Sequence, residues 1–270
     1  MTTPLSQALA ALRRRHGDDV IRAGDTLSGV EAWPTGLPIL DHRLTPGGLP
    51  VGRLSLLAAA PGASGRLTLL QALAAAASRE RVAVYLDLLG SLDPGYLADL
   101  GADLTSLLVV QPPSGRWGEG LSMARSLVVA GAPWLAVALP GAGTAKEPGP
   151  SPRSSSGWEH RLSILVESVS LRRAVCLVSA ASPPPLALGH AASLTVECAA
   201  DGWEEAHGDV LGLRTRLTVV KSKVSAPGET AVLLLRYPRT FAAAEAVGRP
   251  AVVGPTVASP GVDVLAAAAG

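Results

Sequence analysis

The sequence predicts an α/β fold in which a mostly parallel central sheet is covered by helices on both faces. Short apolar segments with strand character alternate with segments of helical spacing along most of the 270 residues. Strands that are buried on both faces form continuous apolar runs, and parallel neighbours need a crossover connection that is usually a helix. Aromatic residues make up only 3% of the chain although 48% is hydrophobic. Ala, Leu and Val therefore supply the core.

The first 30 residues predict a helix followed by an arm. The helix is predicted over residues 5–16 because apolar side chains recur at helical spacing, and Gly17 ends the pattern. An extended arm follows at 19–23. The apolar positions of the helix are Leu5, Ala8, Leu9 and Leu12.

We predict that residues 31–240 form the core domain. A turn-rich stretch at 36–50 leads into a strand at 53–60, a glycine-rich loop and a helix at 67–80. The remaining strands are predicted at 82–88, 104–113, 134–140, 174–180, 193–199, 216–224 and 231–238, and the remaining helices at 92–101, 118–131 and 159–173.

We predict irregular structure in two segments. Residues 141–157 are rich in Gly, Pro and Ser, which predicts a flexible loop. Residues 241–270 form a tail of Ala, Val, Gly and Pro with little pattern, which we expect to be loosely ordered.

The charge and cysteine content narrow the class of protein. With 23 basic and 22 acidic residues the net charge is +1, so the chain has no general attraction to nucleic acid. Cys176 and Cys198 lie in apolar runs and predict buried, reduced thiols, and two cysteines are too few for a metal cluster. The N-terminus places its charges after the apolar stretch, the reverse of a secretory signal. We therefore expect a cytoplasmic protein without metal or cofactor.

The segment A-P-G-A-S-G-R-L at 60–67 stands where a phosphate-binding loop would, after a strand and before a helix. The working pattern is G-x-x-x-x-G-K-[ST]. Here Ala60 adds a Cβ at the first glycine, Arg66 replaces the compact lysine, and Leu67 lacks the hydroxyl that holds Mg²⁺. An ordinary glycine-rich turn explains the motif equally well. The remaining positions of this vestigial loop are Gly62, Ser64, Gly65 and Thr68.

Longer blocks of the chain resemble the RecA recombinase family. The blocks are collinear and cover about residues 5–240, at 8–25, 35–76, 85–112 and 216–237. The second contains TGLPILDHRLTPGGLPVGRLSLLAAAPGASGR, and the third keeps an LDP–Y–LG–D–LLV–QP skeleton. The resemblance implies a RecA-like core with the tail in the place of the family's small C-terminal domain.

The resemblance also implies that the catalytic groups are lost. The family's catalytic glutamate falls on Leu89, its Walker B aspartate on Ala138, and its γ-phosphate-sensing glutamine near Ala180. Asp87 is retained but cannot replace the glutamate alone. Because a phosphoryl-transfer site needs these groups together with the loop lysine and the Mg²⁺ hydroxyl, we expect a pseudo-ATPase with no catalytic residues. Backbone N–H groups at the helix start leave room for weak nucleotide binding.

The family's two DNA-binding loops correspond to changed segments. The second corresponds to SPPPLALGH at 182–190, which is short, stiffened by proline and has no Lys or Arg. The first corresponds to 144–158, where the basic residues are Lys146 and Arg153. We therefore expect weak or no direct binding of single-stranded DNA.

Two features that the family uses between protomers are kept, and they are the candidate partner-binding residues. The N-terminal helix and arm contribute Leu5, Leu9, Leu12, Val20, Ile21 and Arg22. Lys221 and Lys223 match family lysines that reach the ATP of the adjacent protomer. Solvent-facing alternation on a strand is the simpler explanation of V-K-S-K-V, and a solvated helix end that of Arg13–Arg15.

Degenerate RecA relatives of this size resemble ImuA-type accessory proteins of translesion synthesis. That resemblance implies RecA, or an inactive Y-family polymerase-like protein of the ImuB type, as the partner. Three alternatives stay open: a SulA-like inhibitor of cell division, a structural partner outside DNA repair, and a divergent DNA-dependent ATPase or recombinase. The last would need a carboxylate from elsewhere, and the candidate donors are Glu119, Glu147 and Glu159.

Overall fold

The computed structural model of the chain describes residues 4–16, 30–59, 62–113, 115–139 and 155–236. The chain divides into two compact units, Met1–Glu31 and Ala32–Gly270. The first contains helix α1, Pro4–His16, on which Leu9 is half-buried and Leu12 is exposed. Three predicted features lie outside the described residues. They are the arm with Val20, Ile21 and Arg22, the tail at 241–270, and the side chain of Leu5.

The second unit contains ten strands and five α-helices among its described residues. The strands are β1 Ala32–Trp33, β2 Leu49–Pro50, β3 Leu54–Ala59, β4 Ala83–Asp87, β5 Leu107–Val110, β6 Trp134–Ala138, β7 Val175–Ala181, β8 Leu194–Ala206, β9 Asp209–Ser222 and β10 Thr230–Arg236. The helices are α2 Arg66–Glu80, α3 Pro94–Asp99, α4 Trp117–Val129, α5 Ser155–Arg172 and α6 Leu186–Ala191.

Eight strands form one central sheet in the order β10-β9-β8-β3-β7-β6-β4-β5. All pairs from β8 to β5 are parallel, and the pairs β8–β9 and β9–β10 are antiparallel. Helix α2 packs into the apolar cluster on one face, and α4 and α5 pack into the cluster on the other. The predicted mostly parallel sheet with helices on both faces is therefore confirmed.

The structure corrects several boundaries. Helix α5 begins at Ser155, so the predicted loop at 141–157 overlaps the helix by its last three residues. The turn-rich stretch contains a π-helix at Ile39–Leu44, and the proline-rich connection contains α6. These short helices were missed because Pro and Gly, which predict turns, dominate their surroundings.

The largest correction concerns β8 and β9. The sequence predicts a strand that ends at residue 199 and one that begins at 216, but both strands continue to a turn at His207 and Gly208. Residues 200–206 and 209–211 are exposed or half-buried, so they lack the apolar alternation that reveals a strand.

Asp41 fixes the segment that leads into β2 and β3. Its buried carboxylate accepts hydrogen bonds from the backbone N–H groups of Thr35 and Gly36 and from the Thr35 hydroxyl, at 2.7–3.1 Å. Close by, Gly48 has a φ of +116°, and a Cβ on it would overlap the carbonyl of Trp33. The segment therefore requires glycine at residue 48.

No helix in the described ranges is long and apolar enough to cross a bilayer.

We expect Gly48→Ala to lower the free energy of unfolding by more than about 3 kcal/mol, because the clash is with backbone and cannot be relieved by a rotamer change. Gly36 is the matched control, with a φ of +75° and open space around it. Gly36→Ala should cost only about 1 kcal/mol, the left-handed penalty alone. Equal losses in urea denaturation would contradict the close approach at Gly48.

Candidate functional site

The connection from β3 to α2 has the strand–loop–helix form that the sequence predicts. Gly65 precedes α2 with a φ of +70°, and a Cβ on it would overlap the side chains of Leu235 and Thr215. Gly62, also with positive φ, is exposed, and Ser64 is buried. The loop therefore packs tightly against β9 and β10 at its second glycine. Ala60 lies outside the described residues.

Arg66, at the position of the loop lysine, is engaged with the protein itself. Its Nη1 donates a hydrogen bond of 2.6 Å to the hydroxyl of Ser179, which is fully buried on β7. Burial lowers the pKa of the guanidinium, and the nearby Cys198 and Tyr85 oppose that shift. One end of the guanidinium is thus committed to the sheet and is not directed to solvent.

The sheet register places Asp87, Ala138 and Ser179 side by side on β4, β6 and β7. Ala138 is completely buried, so a methyl group stands where the resemblance places the Walker B carboxylate. A methyl group can neither bind Mg²⁺ nor orient a water molecule that does. Ala180, the next residue on β7, is also buried and pairs with Ala58 of β3.

Asp87 is the carboxylate that this row retains, and its oxygen atoms are used in folding the turn after β4. It is 2% exposed. Backbone N–H groups, one hydroxyl and one side-chain amide donate to it over 3.0–3.4 Å. The donors are Leu89 N, Ser91 N, Leu92 N, Ser91 Oγ and Gln111 Nε2. These hydrogen bonds give Asp87 a structural role in the turn.

The leucines at the predicted positions of the loop hydroxyl and the catalytic glutamate pack against apolar side chains. Leu67 and Leu89 are partly buried and lie against the core cluster that contains α2. Neither side chain has an oxygen atom that could bind a metal ion or a water molecule. Among the residues that the structure describes, no group of three His, Cys, Asp or Glu side chains could hold a metal ion.

An open cleft of about 360 Å³ lies between the start of α2 and α3. Its lining carries two carboxylates, Asp93 and Asp99, and no Lys or Arg. Asp93 accepts from the N–H groups of Gly95 and Tyr96 and so caps α3. The cleft was not foreseen from the sequence, because its walls come from two elements; they are formed by Leu67, Thr68, Gln71, Asp93, Gly95, Tyr96 and Asp99.

The two candidate lysines differ in their exposure and in their hydrogen bonds. Lys221 donates to the carbonyl groups of Gly189 and His190, at 2.7 and 3.2 Å, and thereby caps the end of α6. Partial burial and the neighbouring Lys223 lower the pKa of its ammonium group. Lys223 lies just beyond the end of β9 and is exposed. The pair is therefore not a uniform solvent-facing alternation.

Comparison with known proteins gives the family. The model of the RecA N-terminal domain matches residues 3–139, about half of the chain. The RecA protein of Acinetobacter baumannii is 31% identical over 258 residues, which cover 86% of this chain and 73% of that protein. The chain belongs to the RecA family. The RecA proteins of Symbiobacterium thermophilum and Xanthomonas axonopodis pv. citri are each 30% identical, over 86% of this chain and 73% and 75% of their own lengths.

Both cysteines of this RecA family member are free and buried, as the sequence predicts. Burial raises the pKa of each thiol to about 12. The contact of the candidate site that the sequence did not predict is the hydrogen bond from Arg66 to the hydroxyl of Ser179. No motif signals it, because Ser179 lies 113 positions after Arg66 in the sequence and meets it only in the folded chain.

If Asp87 acts through folding, Asp87→Asn should lower the free energy of unfolding by about 2–4 kcal/mol, since an amide nitrogen would face backbone donors in a buried turn. Asp99→Asn is the control, because Asp99 is an exposed carboxylate of the neighbouring cleft. It should change the stability by less than about 0.5 kcal/mol. A stable Asp87→Asn variant in urea denaturation would show that the turn does not depend on the charge.

Proposed function

We propose that this RecA family member is a pseudo-ATPase that acts by binding other proteins. The observation that supports this most is the row Asp87, Ala138 and Ser179 at the ends of three neighbouring strands. Its carboxylate is saturated by the turn, its central position is a buried methyl group, and its hydroxyl is bonded to Arg66. A metal-dependent phosphoryl transfer has no ligand in this row.

The alternative of a divergent ATPase needs a carboxylate from elsewhere. Glu119 lies on α4 in an ion pair with Arg116, at 2.5 Å, and Glu159 is exposed on α5. Glu147 lies outside the described residues. No hydrogen bond or ion pair joins either described glutamate to the described residues of the loop, so no observation favours them as substitutes.

Exposed apolar surface supports the protein-binding role. Strand β5 is the edge of the sheet, and Leu108 and Val109 on it are each more than 40% exposed. Val82 and Leu104, just before β4 and β5, are exposed to a similar degree. An apolar sheet edge left open is a place where another chain can add.

Within protein binding, we propose an ImuA-like accessory role in translesion synthesis. The partners would be RecA itself, at one end of its filament, and a polymerase-like protein of the ImuB type. The exposed positions of α1 and the exposed Lys223 are the surfaces offered to RecA. Lys221 contributes indirectly, by fixing the end of α6 beside Lys223.

The purified protein should hydrolyse ATP no faster than buffer, with or without single-stranded DNA and Mg²⁺, because the only carboxylate in the row Asp87, Ala138 and Ser179 is already used by the turn after β4. A steady-state assay that detects one turnover per hour is sufficient. The comparison variant carries the family's groups through Arg66→Lys, Leu67→Thr, Leu89→Glu and Ala138→Asp. DNA-stimulated turnover by the unmodified protein would disprove the pseudo-ATPase proposal.

Charge reversal at the lysines should abolish RecA binding. Lys223→Glu is the cleaner variant, because Lys221→Glu also removes the cap of α6. We expect at least a tenfold weaker affinity for purified RecA by calorimetry, a loss of about 1.4 kcal/mol. Arg172→Glu, an exposed charge on α5, is the matched control. Unchanged affinity in Lys223→Glu and in the double variant would count against this surface.

A further inference from the structure

The outer end of the β8–β9 hairpin extends past the strands on either side of it. Strand β3 pairs with β8 only as far as Glu197, and β10 pairs with β9 only as far as Gly212. Residues 200–212, here called the ribbon tip, are thus paired mainly with each other among the described strands.

The ribbon tip exposes large apolar side chains. Trp203 and Val210 are each 50% exposed, and Leu211 is 42% exposed. The register pairs Trp203 with Leu213 and Leu213 with Leu235 of β10, and residues directly opposite each other share one face of a sheet. Because Leu213 and Leu235 are buried, an apolar row that begins in the core ends on the half-exposed indole.

The charge of the ribbon tip is negative. Asp201 forms ion pairs with Arg214 and Arg216, which lie on β9 beyond the tip. Asp209 is exposed at the start of β9, directly before Val210. The tip contains neither Lys nor Arg, and its carboxylates are those of Asp201, Glu204, Glu205 and Asp209. An apolar patch bordered by carboxylates favours an occupant with apolar and basic side chains.

A single-stranded nucleic acid does not have that chemistry. Bases that stacked on Trp203 would bring their phosphates against the carboxylates of the tip, whereas surfaces that bind single strands are basic. The occupant that the tip favours is therefore a peptide segment.

The chain itself brings a segment to the base of the tip. Strand β10 runs antiparallel to β9, and its last residue, Arg236, lies opposite Gly212. One peptide bond moves the chain by only about 3.8 Å, so residue 237 must begin at the base of the tip. Five extended residues then reach about 17 Å, whereas the three steps along β9 from Gly212 to Asp209 cover about 10 Å. A segment of five residues is therefore long enough to follow the tip.

Residues 237–241, here called the strap, have the composition that the tip favours. They read Y-P-R-T-F and hold the one Phe of the chain and one of its three Tyr, although aromatic residues make up only 3% of the chain. The strap has one basic residue, Arg239, and no acidic residue. Side chains at alternate positions of an extended segment share one side, which groups Tyr237, Arg239 and Phe241.

The register of β10 adds a charge match. Each step forward along β10 is one step back along β9, and Arg236 pairs with Gly212. Continued at that spacing, Arg239 falls opposite Asp209. Pro238 has no N–H group to donate to β9, so side chains must supply the contact.

We propose that the strap binds back onto the ribbon tip of its own molecule, with Tyr237 and Phe241 against the apolar patch around Trp203 and with Arg239 against Asp209. The two are joined through β10 and β9, so the binding is intramolecular and does not depend on protein concentration. The strap shields the patch, and a partner protein gains the patch only by displacing it. The proposal does not rest on the loss of ATPase activity, and each can fail without the other.

Trypsin cleavage after Arg239 in the folded full chain is the first test. A bound strap protects this bond, and the release of the fragment that begins at Thr240 is followed by mass spectrometry. We expect Trp203→Ser to speed this cleavage at least tenfold, because the strap loses the centre of its patch. Leu186→Ser, at a 90% exposed leucine of α6, is the matched control and should leave the rate unchanged. The protection should persist over about a hundredfold dilution, as intramolecular binding requires.

The environment of Trp203 is the second test, in protein labelled with 5-fluorotryptophan. The fluorine resonance of Trp203 is assigned by its loss in Trp203→Phe, and its shift between H₂O and D₂O measures exposure to solvent. The double variant Tyr237→Ser, Phe241→Ser should at least double this shift, and so should Arg239→Glu. Adding Asp209→Arg to Arg239→Glu should restore the wild-type value. The resonance of the buried Trp134 is the internal control and should not change.

Circular dichroism verifies that every variant is folded, and several results would overturn the proposal. They are equal cleavage rates in wild type and Trp203→Ser, and a Trp203 resonance that the strap variants leave unchanged. Protection that disappears on dilution would assign the tip to a second molecule and would overturn it too. Binding of labelled oligo(dT) by wild type that is lost in Trp203→Ser would assign the tip to nucleic acid, with the same consequence.

Discussion

The parallel register of β4, β6 and β7 is the constraint on which the candidate site depends. Parallel strands that share a register end at one edge of the sheet, and in open α/β sheets ligands bind beyond the carboxyl ends of the strands. Here that edge brings Asp87, Ala138 and Ser179 into one row. Ser179 in this row contacts Arg66 at the start of α2. The side chains in the row therefore decide whether this edge can bind a metal ion or serves only to stabilise the fold.

In this chain, hydrogen bonds from other groups of the protein already occupy the polar side chains of the row. Arg66 reaches back to Ser179, and the turn after β4 saturates Asp87. Gly65 is held against Thr215 and Leu235, so the loop is anchored to β9 and β10. Together these contacts use the oxygen atoms of Asp87 and Ser179 within the protein, and Ala138 between them has no side-chain oxygen. The proposed shift from catalysis to protein binding follows from this physical arrangement.

Much of the core could be predicted from the sequence because its signals are local. The apolar runs of β3, β4, β6 and β7 and the glycine-rich connection before α2 each occupy only a few consecutive residues, and their order predicts the parallel sheet. The family resemblance added the positions of Leu67, Leu89 and Ala138. The hydrogen bond from Arg66 to Ser179 could not be predicted, since it joins distant parts of the chain and no sequence motif marks it. The outer half of the β8–β9 hairpin was missed because its charged, exposed residues do not alternate, and the cap that Lys221 places on α6 was missed because α6 itself was not predicted.

The measurement that tests the central claim most directly is the affinity for ATP with and without Mg²⁺, by calorimetry on the full chain. If no carboxylate or hydroxyl is left to hold the metal ion, Mg²⁺ should not strengthen nucleotide binding, and any weak affinity should be the same for ATP in EDTA. A tenfold or greater gain in affinity with Mg²⁺, equal to about 1.4 kcal/mol, would show that the site still assembles a metal–nucleotide complex and would contradict the account.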